Sequence, residues 1–304
     1  MMYKAQKNLP FKEVLVKPFP EIVQLQTISY CNGRCVMCPY PDTHSSLIQG
    51  TMPLPLYEKI IDECYSFGIK EFKPFLMNEP LLDDRLPDMI SYARNKLPNT
   101  KIGFSTNGLL MEREMIRRIV DSGVDEVWFN FSGNTEETYN NVMKGLDFKR
   151  VRKNIIDFAH YVQLKQSNIS INISMVEVKE CLEEIEDSIA FWKEYGVVVH
   201  PIPFNNRGGN SQEKGIKVLK CPIGKRVCDK SIIKACVLFD GRMILCPSDW
   251  KQNHVIGSVS NTSLFDLWNG KKRLEYVDKI LKCEYDSIDI CEKCDYTMIF
   301  GNEN

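Results

Sequence analysis

Ser29-Tyr30-Cys31-Asn32-Gly33-Arg34-Cys35-Val36-Met37-Cys38-Pro39-Tyr40 sets three thiols at spacing C-x3-C-x2-C, directly after an apolar, strand-like run from Glu21 to Ile28. A loop this tight can hold three thiolates around one metal centre and supplies no fourth. If the centre is a [4Fe–4S] cube, three irons are held by protein and one is left open. A catalytic cluster needs that open iron, because another molecule must bind there. Two other readings of the same thiols stand beside it. Tetrahedral zinc wants four ligands and would borrow one. A disulfide wants an oxidising compartment, for which the chain carries no signal.

The 304 residues suffice for one large domain, or for a barrel with a small appendage. With 43% hydrophobic residues there is material for a sizeable core, and a formal net charge of -1 without a basic block argues against nucleic acid as a partner. The opening from Met1 to Lys7 is not followed by an apolar signal core, and no run approaches membrane length. The expectation is a cytoplasmic protein with no membrane partner. Twelve cysteines in a reduced chain exceed what packing needs, so metal binding is the default reading.

Outward from the cysteine loop, short apolar runs alternate with segments of helical period, which predicts strand–helix units on a parallel sheet. Tyr57, Ile60, Ile61 and Cys64 share a helix face ahead of a strand at 71–76; Leu86, Met89, Ile90, Ala93 and Leu97 share another ahead of 100–105. Met115, Ile116, Ile119 and Val120 precede a strand at 126–131, and Val151, Ile155, Phe158, Ala159 and Val162 precede one at 169–175. Leu182, Ile185, Ile189 and Trp192 form the last stripe before Val197 to His200. Six strands with five intervening helices make an α/β chain with an open, partial barrel, since eight would close a full one. Sites in such sheets gather at the carboxyl ends of the strands, where the three cysteines also lie. Composition shifts after His200 into the turn-rich stretch from Pro201 to Asn210, which places a boundary near residue 210: a barrel over 1–210 and a second unit over 211–304. That second unit carries a hairpin signal from Val237 to Leu245, with Asp240-Gly241 as a two-residue turn, and one amphipathic helix from about Leu264 to Leu281.

The cysteine triplet resembles the C-x3-C-x-Φ-C signature of the radical S-adenosylmethionine (SAM) enzymes, with Met37 at the usually aromatic Φ position. The resemblance implies a partial (β/α)6 barrel, a SAM-binding [4Fe–4S] cluster on Cys31, Cys35 and Cys38, and SAM chelating the open iron. It also implies an electron donor such as flavodoxin or ferredoxin. Met77-Asn78-Glu79-Pro80, ending the second strand, resembles the family's GGEP motif with Met-Asn in place of Gly-Gly, so Met77, Asn78 and Glu79 are expected at the SAM amine. Ser105-Thr106-Asn107-Gly108 resembles its TNG-type turn, and Ser132 stands where a ribose contact is usual. Ser105, Asn107 and Ser132 are therefore expected to line the SAM site, with Met175 and Val176 flanking the adenine. Each of these could instead be ordinary capping, turn or core chemistry.

Seven more cysteines follow the barrel: Cys221, Cys228, Cys236, Cys246, Cys283, Cys291 and Cys294. The spacing from Cys228 through Gly241 to Cys246, and then Cys291-x2-Cys294, resembles the frame of SPASM and twitch domains. That resemblance implies one auxiliary [4Fe–4S] cluster with Cys228, Cys246, Cys291 and Cys294 as ligands. Cys221 in place of Cys228 and a structural zinc knot remain open. Cys64 reads as a core residue. Cys181 and Cys236 are candidates for a catalytic thiol that returns a hydrogen atom, or for simple packing.

The two halves together resemble twitch enzymes that act on aminocyclitol and aminoglycoside carbons, such as those of the butirosin and neomycin pathways. The resemblance implies hydrogen abstraction from a small carbohydrate or aminocyclitol substrate, ending in dehydrogenation or epimerisation. The loop Asn206-Arg207-Gly208-Gly209 places Arg207 as a substrate-binding candidate, with an interdomain turn as the alternative. Two further functions remain open. One is a peptide maturase, for which the stretch up to Glu21 is short to hold a leader-binding domain. The other is a non-catalytic iron–sulfur or zinc scaffold.

Overall fold

The computed structural model describes residues 16–211 and 227–296. Six strands run parallel and in sequence order: β1 (Ile22–Leu25), β2 (Glu71–Lys73), β3 (Lys101–Thr106), β4 (Glu126–Asn130), β5 (Ser170–Glu177) and β6 (Val198–Pro203). Between them lie α1 (Leu54–Phe67), α2 (Leu86–Lys96), α3 (Arg113–Asp121), α4 (Glu136–Val142), α5 (Phe148–Leu164) and α6 (Ile185–Lys193). The expected stripes are the buried ones: Tyr57, Ile60, Ile61 and Cys64 on α1, and Val151, Ile155, Phe158, Ala159 and Val162 on α5. Leu182 departs from its stripe, lying 43% exposed in a 3-10 segment before α6. Helix α4 was not anticipated. Its signal is a cap: Thr135 Oγ1 accepts the Thr138 N–H, and Glu136 and Glu137 occupy the first turn.

The barrel is open, and its sheet continues past β1. Strand β7 (Lys234–Val237) pairs parallel with β1, and β8 (Arg242–Ile244) and β9 (Val255–Ser258) follow antiparallel, giving the order β6-β5-β4-β3-β2-β1-β7-β8-β9. The C-terminal hairpin is thus grafted onto the edge of the barrel sheet. Its turn differs from the two-residue expectation. Leu238 N–H donates to the Arg242 carbonyl at 2.8 Å, and of Asp240 and Gly241 only the glycine has positive φ (88°). A two-residue type I′ turn needs both, so the chain takes a three-residue loop ending on the left-handed glycine. The expected single helix from Leu264 is two, α7 (Leu264–Trp268) and α8 (Lys271–Leu281), with extended Gly270 starting the second.

Side-chain alternation divides the sheet into two faces. Val23, Leu25, Phe72, Ile102, Phe104, Val127, Phe129, Ile171 and Ile173 join the helices in one core. The opposite, concave face carries Gln24, Glu126, Trp128 and Asn172, with His200 Nε2 3.0 Å from Asn172 Oδ1 and its ring 4.7 Å from that of Trp128. One buried cation ties the C-terminal helices to the turn ahead of β7. Arg273, 1% exposed, donates to the carbonyls of Trp268, Ser231 and Ile232 at 2.9–3.1 Å and stacks on Trp268. Burial pushes its guanidinium down to about 9. Among the described residues no helix is long and apolar enough to cross a membrane.

Replacing Arg273 by Met keeps the volume and strands three carbonyls. The expected loss is about 3 kcal/mol of unfolding free energy, read by urea denaturation; an unchanged midpoint would show that water substitutes freely there.

Candidate active site

The loop at the end of β1 is held from several sides. Cys31 N–H donates to Tyr40 Oη at 2.9 Å, and Arg34 and Val36 N–H donate to the carbonyls of Lys144, just after α4, and Val142, its last residue. Backbone N–H groups also point at sulfur, Gly33 at Cys31 Sγ (3.4 Å) and Tyr40 at Cys38 Sγ (3.5 Å). Such donors favour thiolates. Against them, burial pushes the Cys31 thiol up to about 12, helped by the Glu79 carboxylate. Cys35 is raised by burial and then by the charges of Cys38 and Cys31, and Cys38 is raised by burial. Three crowded thiolates in a dry loop need a positive group to neutralise them. A methyl group at Gly33 would stand 3.5 Å from Cys35 Sγ and 3.8 Å from Cys31 Sγ, so the bare glycine keeps the space beside both sulfurs clear. Among the described residues no three His, Cys, Asp or Glu side chains converge closely enough for a single metal ion. This donor set fits a cluster on three thiolates.

The ends of β2 and β3 bond to the loop, Glu79 N–H to the Tyr30 carbonyl and Asn107 to Asn32. Met77 takes a left-handed backbone (φ 57°), and Asn78 Oδ1 accepts the Leu76 N–H while its Nδ2 is buried without a partner. Glu79, 2% exposed, accepts from Thr106 Oγ1 (2.6 Å), Asn107 N–H (2.7 Å) and Leu81 N–H (3.1 Å). Burial outweighs these donors and pushes its carboxyl up to about 7. Asn107 Nδ2 donates to Asn32 Oδ1 at 2.7 Å, joining the end of β3 to the cysteine loop. Ser105 is half-buried on the concave face, and Ser132 Oγ accepts the Val176 N–H at 3.0 Å.

A second cysteine set closes a separate cavity, lined by Cys228, Lys230, Cys246, Tyr285, Cys291, Cys294 and Tyr296 among others. Burial raises the Cys228 thiol to about 12, with Cys246 adding to the rise, and Cys246 is raised by burial. Ser248 N–H meets Cys246 Sγ at 3.4 Å and Tyr296 N–H meets Cys294 Sγ at 3.4 Å. The segment after Cys246 is locked to the turn carrying Cys291 by His254, whose Nε2 lies 2.8 Å from Asp289 and whose N–H donates to buried Asp249. Four thiols around one cavity, with N–H groups on the sulfurs of Cys246 and Cys294, fit a fully ligated cluster. Cys221 lies outside the described residues.

The family model for the radical SAM superfamily matches residues 25–191, and that for an iron–sulfur cluster-binding (SPASM) domain matches residues 228–295. The chain belongs to the radical SAM superfamily. Its cofactors are SAM and iron–sulfur clusters, one for SAM and an auxiliary complement in the SPASM domain. Among similar proteins is a tungsten-containing aldehyde ferredoxin oxidoreductase cofactor-modifying protein of Pyrococcus furiosus, 26% identical over 57% of this chain and 48% of the relative. Another is an AdoMet-dependent heme synthase of Methanosarcina barkeri, 28% identical over 64% and 54%. The chain thus spans about half the length of these relatives. Solved structures with this fold include BtrN in complex with AdoMet and 2-DOIA (TM-score 0.66, 18% identity, 95% of this chain and 97% of that one). SuiB of Streptococcus suis bound to precursor peptide SuiA shares it too (TM-score 0.72, 13% identity, 95% and 74%).

Within this radical SAM fold, several expected residues are buried or turned toward neighbouring strand ends. Met175 is fully buried: with Ile171 and Ile173 it points into the helix layer, and strand alternation leaves Val176 on the concave side. Cys181, fully buried in the 3-10 segment after β5, packs in the main core, and its thiol is raised to about 12, first by burial. Cys236, also fully buried, packs with Leu76, Leu238 and Ile244, with Met77 against them. Glu79 turns its carboxylate toward Thr106 and Asn107, so its place is to brace the strand ends. Arg207 is exposed on a turn with left-handed backbone (φ 52°), and its charge is felt at Cys38 and at Lys230. Asn32, Thr106 and Tyr40 were not anticipated; the signal for the first two is adjacency to the cysteine and Asn-Gly motifs.

Glu79→Gln turns an amide NH2 toward the backbone N–H of Asn107 or of Leu81, which can only donate. It should cost about 2 kcal/mol of stability and lower SAM affinity with it; a wild-type thermal midpoint together with wild-type SAM binding would remove Glu79 from this bracing role.

Proposed function

We propose that the chain is a dehydrogenase of a small, hydroxyl-rich substrate, removing a hydrogen atom from a carbinol carbon, a proton from its hydroxyl and one electron to leave a carbonyl. The observation that carries this reading is the second cavity with its four cysteines, because a site able to hold an auxiliary cluster can take the electron that oxidation releases. When bound at Cys31, Cys35 and Cys38, the cluster and SAM would supply a 5′-deoxyadenosyl radical able to abstract hydrogen from an unactivated carbon. The chain's own residues do the rest. Tyr40, Asn32 and Asn107 hold the cysteine loop against the strand ends, Met77, Asn78, Ser105 and Ser132 border the SAM position, and Cys228, Cys246, Cys291 and Cys294 would ligate the auxiliary cluster. The concave face, with Trp128, Asn172 and His200, offers a ring to stack on and polar groups for hydroxyls.

Burial of the free thiols supports oxidation over epimerisation. An epimerase must bring an S–H to the substrate radical, and neither Cys181, in the helix-side core, nor Cys236, packed beneath Met77, has exposed surface. The outer edge strand supports a small substrate over an extended peptide. A peptide adding to β6 would meet Pro201 and Pro203, which have no N–H to donate. The neighbour BtrN, seen with AdoMet and 2-DOIA, agrees with that choice. A cytoplasmic setting and a flavodoxin- or ferredoxin-type donor complete the reading.

Anaerobic reconstitution tests it. About eight irons per chain, falling to about four with loss of 5′-deoxyadenosine when Cys31, Cys35 and Cys38 are all alanine, is the expected result. A panel of sugars and cyclitols should then yield a carbonyl product. Inversion at carbon with deuterium from D2O would replace the dehydrogenase by an epimerase, turnover of a peptide would replace it by a maturase, and bound zinc with intact SAM would leave a scaffold.

A further inference from the structure

The auxiliary cavity contains an ammonium group as well as four thiols. Lys230 lines it beside Cys228, Cys246, Cys291 and Cys294, with Nζ 3.3 Å from the centre of the Tyr296 ring. Among the described residues no carboxylate forms an ion pair with Lys230. Its neighbours in the cavity wall are the thiols of Cys228, Cys246 and Cys294. Lys230 is half-buried, and withdrawing a lysine from water without a partner is costly. The aromatic face of Tyr296 supplies part of the compensation. What remains is the negative charge that four thiolates bring to the cavity.

That arrangement has a consequence for whatever the thiolates hold. Four thiolates outweigh the positive charge of an iron–sulfur core, and each added electron makes the assembly more negative. A fixed cation in a low-dielectric wall lowers the energy of the more negative state most. We propose that Lys230 is a positioning residue that raises the reduction potential of the auxiliary cluster, making that centre an electron acceptor. The inference rests on the proposed function only in requiring that the auxiliary cluster be present. Arg207, exposed on the turn between the two cysteine sets, adds a second positive charge on the same side.

The test uses the full chain, reconstituted anaerobically, with Lys230→Met and Lys230→Arg beside it. Iron is counted first, and each centre is then titrated with dithionite while its electron paramagnetic resonance signal is followed. The SAM-binding centre, recognised by the change in its signal on adding SAM, is the internal reference. Lys230→Met should lower the equilibrium constant for one-electron reduction of the auxiliary centre at least tenfold, a 59 mV fall in midpoint, and leave the reference unmoved. Lys230→Arg, which keeps the charge, should retain most of the wild-type potential. An unmoved auxiliary midpoint in Lys230→Met, or an equal shift of both centres, would overturn the proposal. So would wild-type iron content near eight that drops to about four in Lys230→Met, since the lysine would then serve assembly. A wild-type content near four would instead remove the auxiliary cluster, and the dehydrogenase reading would fall with it.

Discussion

Strand β1 is paired on both sides, with β2 on one edge and β7 on the other, and the cysteine loop leaves from its carboxyl end. That double pairing is the constraint on which the two halves depend. A strand held by two parallel neighbours cannot shift register without breaking both ladders and moving its buried side chains to the wrong face. Val23 and Leu25 would leave the core, and Gln24, facing Cys236 across the ladder, would leave the concave side. The exit of the three-cysteine loop is therefore set by the barrel and by the C-terminal hairpin together. The boundary expected near residue 210 marks a change in composition, while the sheet itself runs through it.

Polar groups at the carboxyl ends of the strands carry a second constraint, since Glu79, Thr106, Asn107 and Ser132 are buried. Glu79 gathers three donors from two strand ends, and Asn107 spends one end of its amide on Leu109 and the other on Asn32. Each bond alone is worth about 1 kcal/mol, but leaving any of these groups unpaired costs more than making the bond gains. The network is thus cooperative in its failure. Removing the Glu79 carboxylate releases donors at the ends of β2 and β3, and the cysteine loop bonds to both ends. Buried carboxylate chemistry here serves geometry first.

Much of this was legible in the chain because it depends on periodicity and spacing. The six strands fall where apolar runs were read, and the cysteines and the Glu79 and Asn107 turns fall at their ends. What escaped depends on parity and on contacts far apart in sequence. The apolar run suggests a strand ending at Met175, but β5 runs on to Glu177 and alternation turns Met175 into the helix layer. Cys181 and Cys236 look available in a linear reading, and only packing shows that neither has surface. The Asp240-Gly241 pair signals a turn correctly, but the sign of φ at Asp240, which selects the turn type, is a backbone property. Lys230 carries no motif. Its meaning comes from a cavity whose walls are drawn from residues 228 to 296.

The two cysteine sets are held to each other by a short turn whose residue types suit that position. Asn205 and Asn206 donate to the Asp295 carboxylate, next to Cys294, and Asn206 Nδ2 donates to the Lys293 carbonyl. At its far end Ser211 Oγ donates to the carbonyl of Met37, inside the first cysteine loop. A side chain at Gly208 would come within 2.9 Å of the Ile290 carbonyl, and φ there is 67°, so only glycine lets the turn pass so close to the Cys291 segment. One turn thus bonds directly to residues adjoining a ligand candidate of each centre. A site on rigid, mutually braced elements keeps its geometry where a loop between independent domains would not. Arg207 sits at the crest of that turn, so its charge is presented to the gap between the centres by the same backbone that fixes their separation.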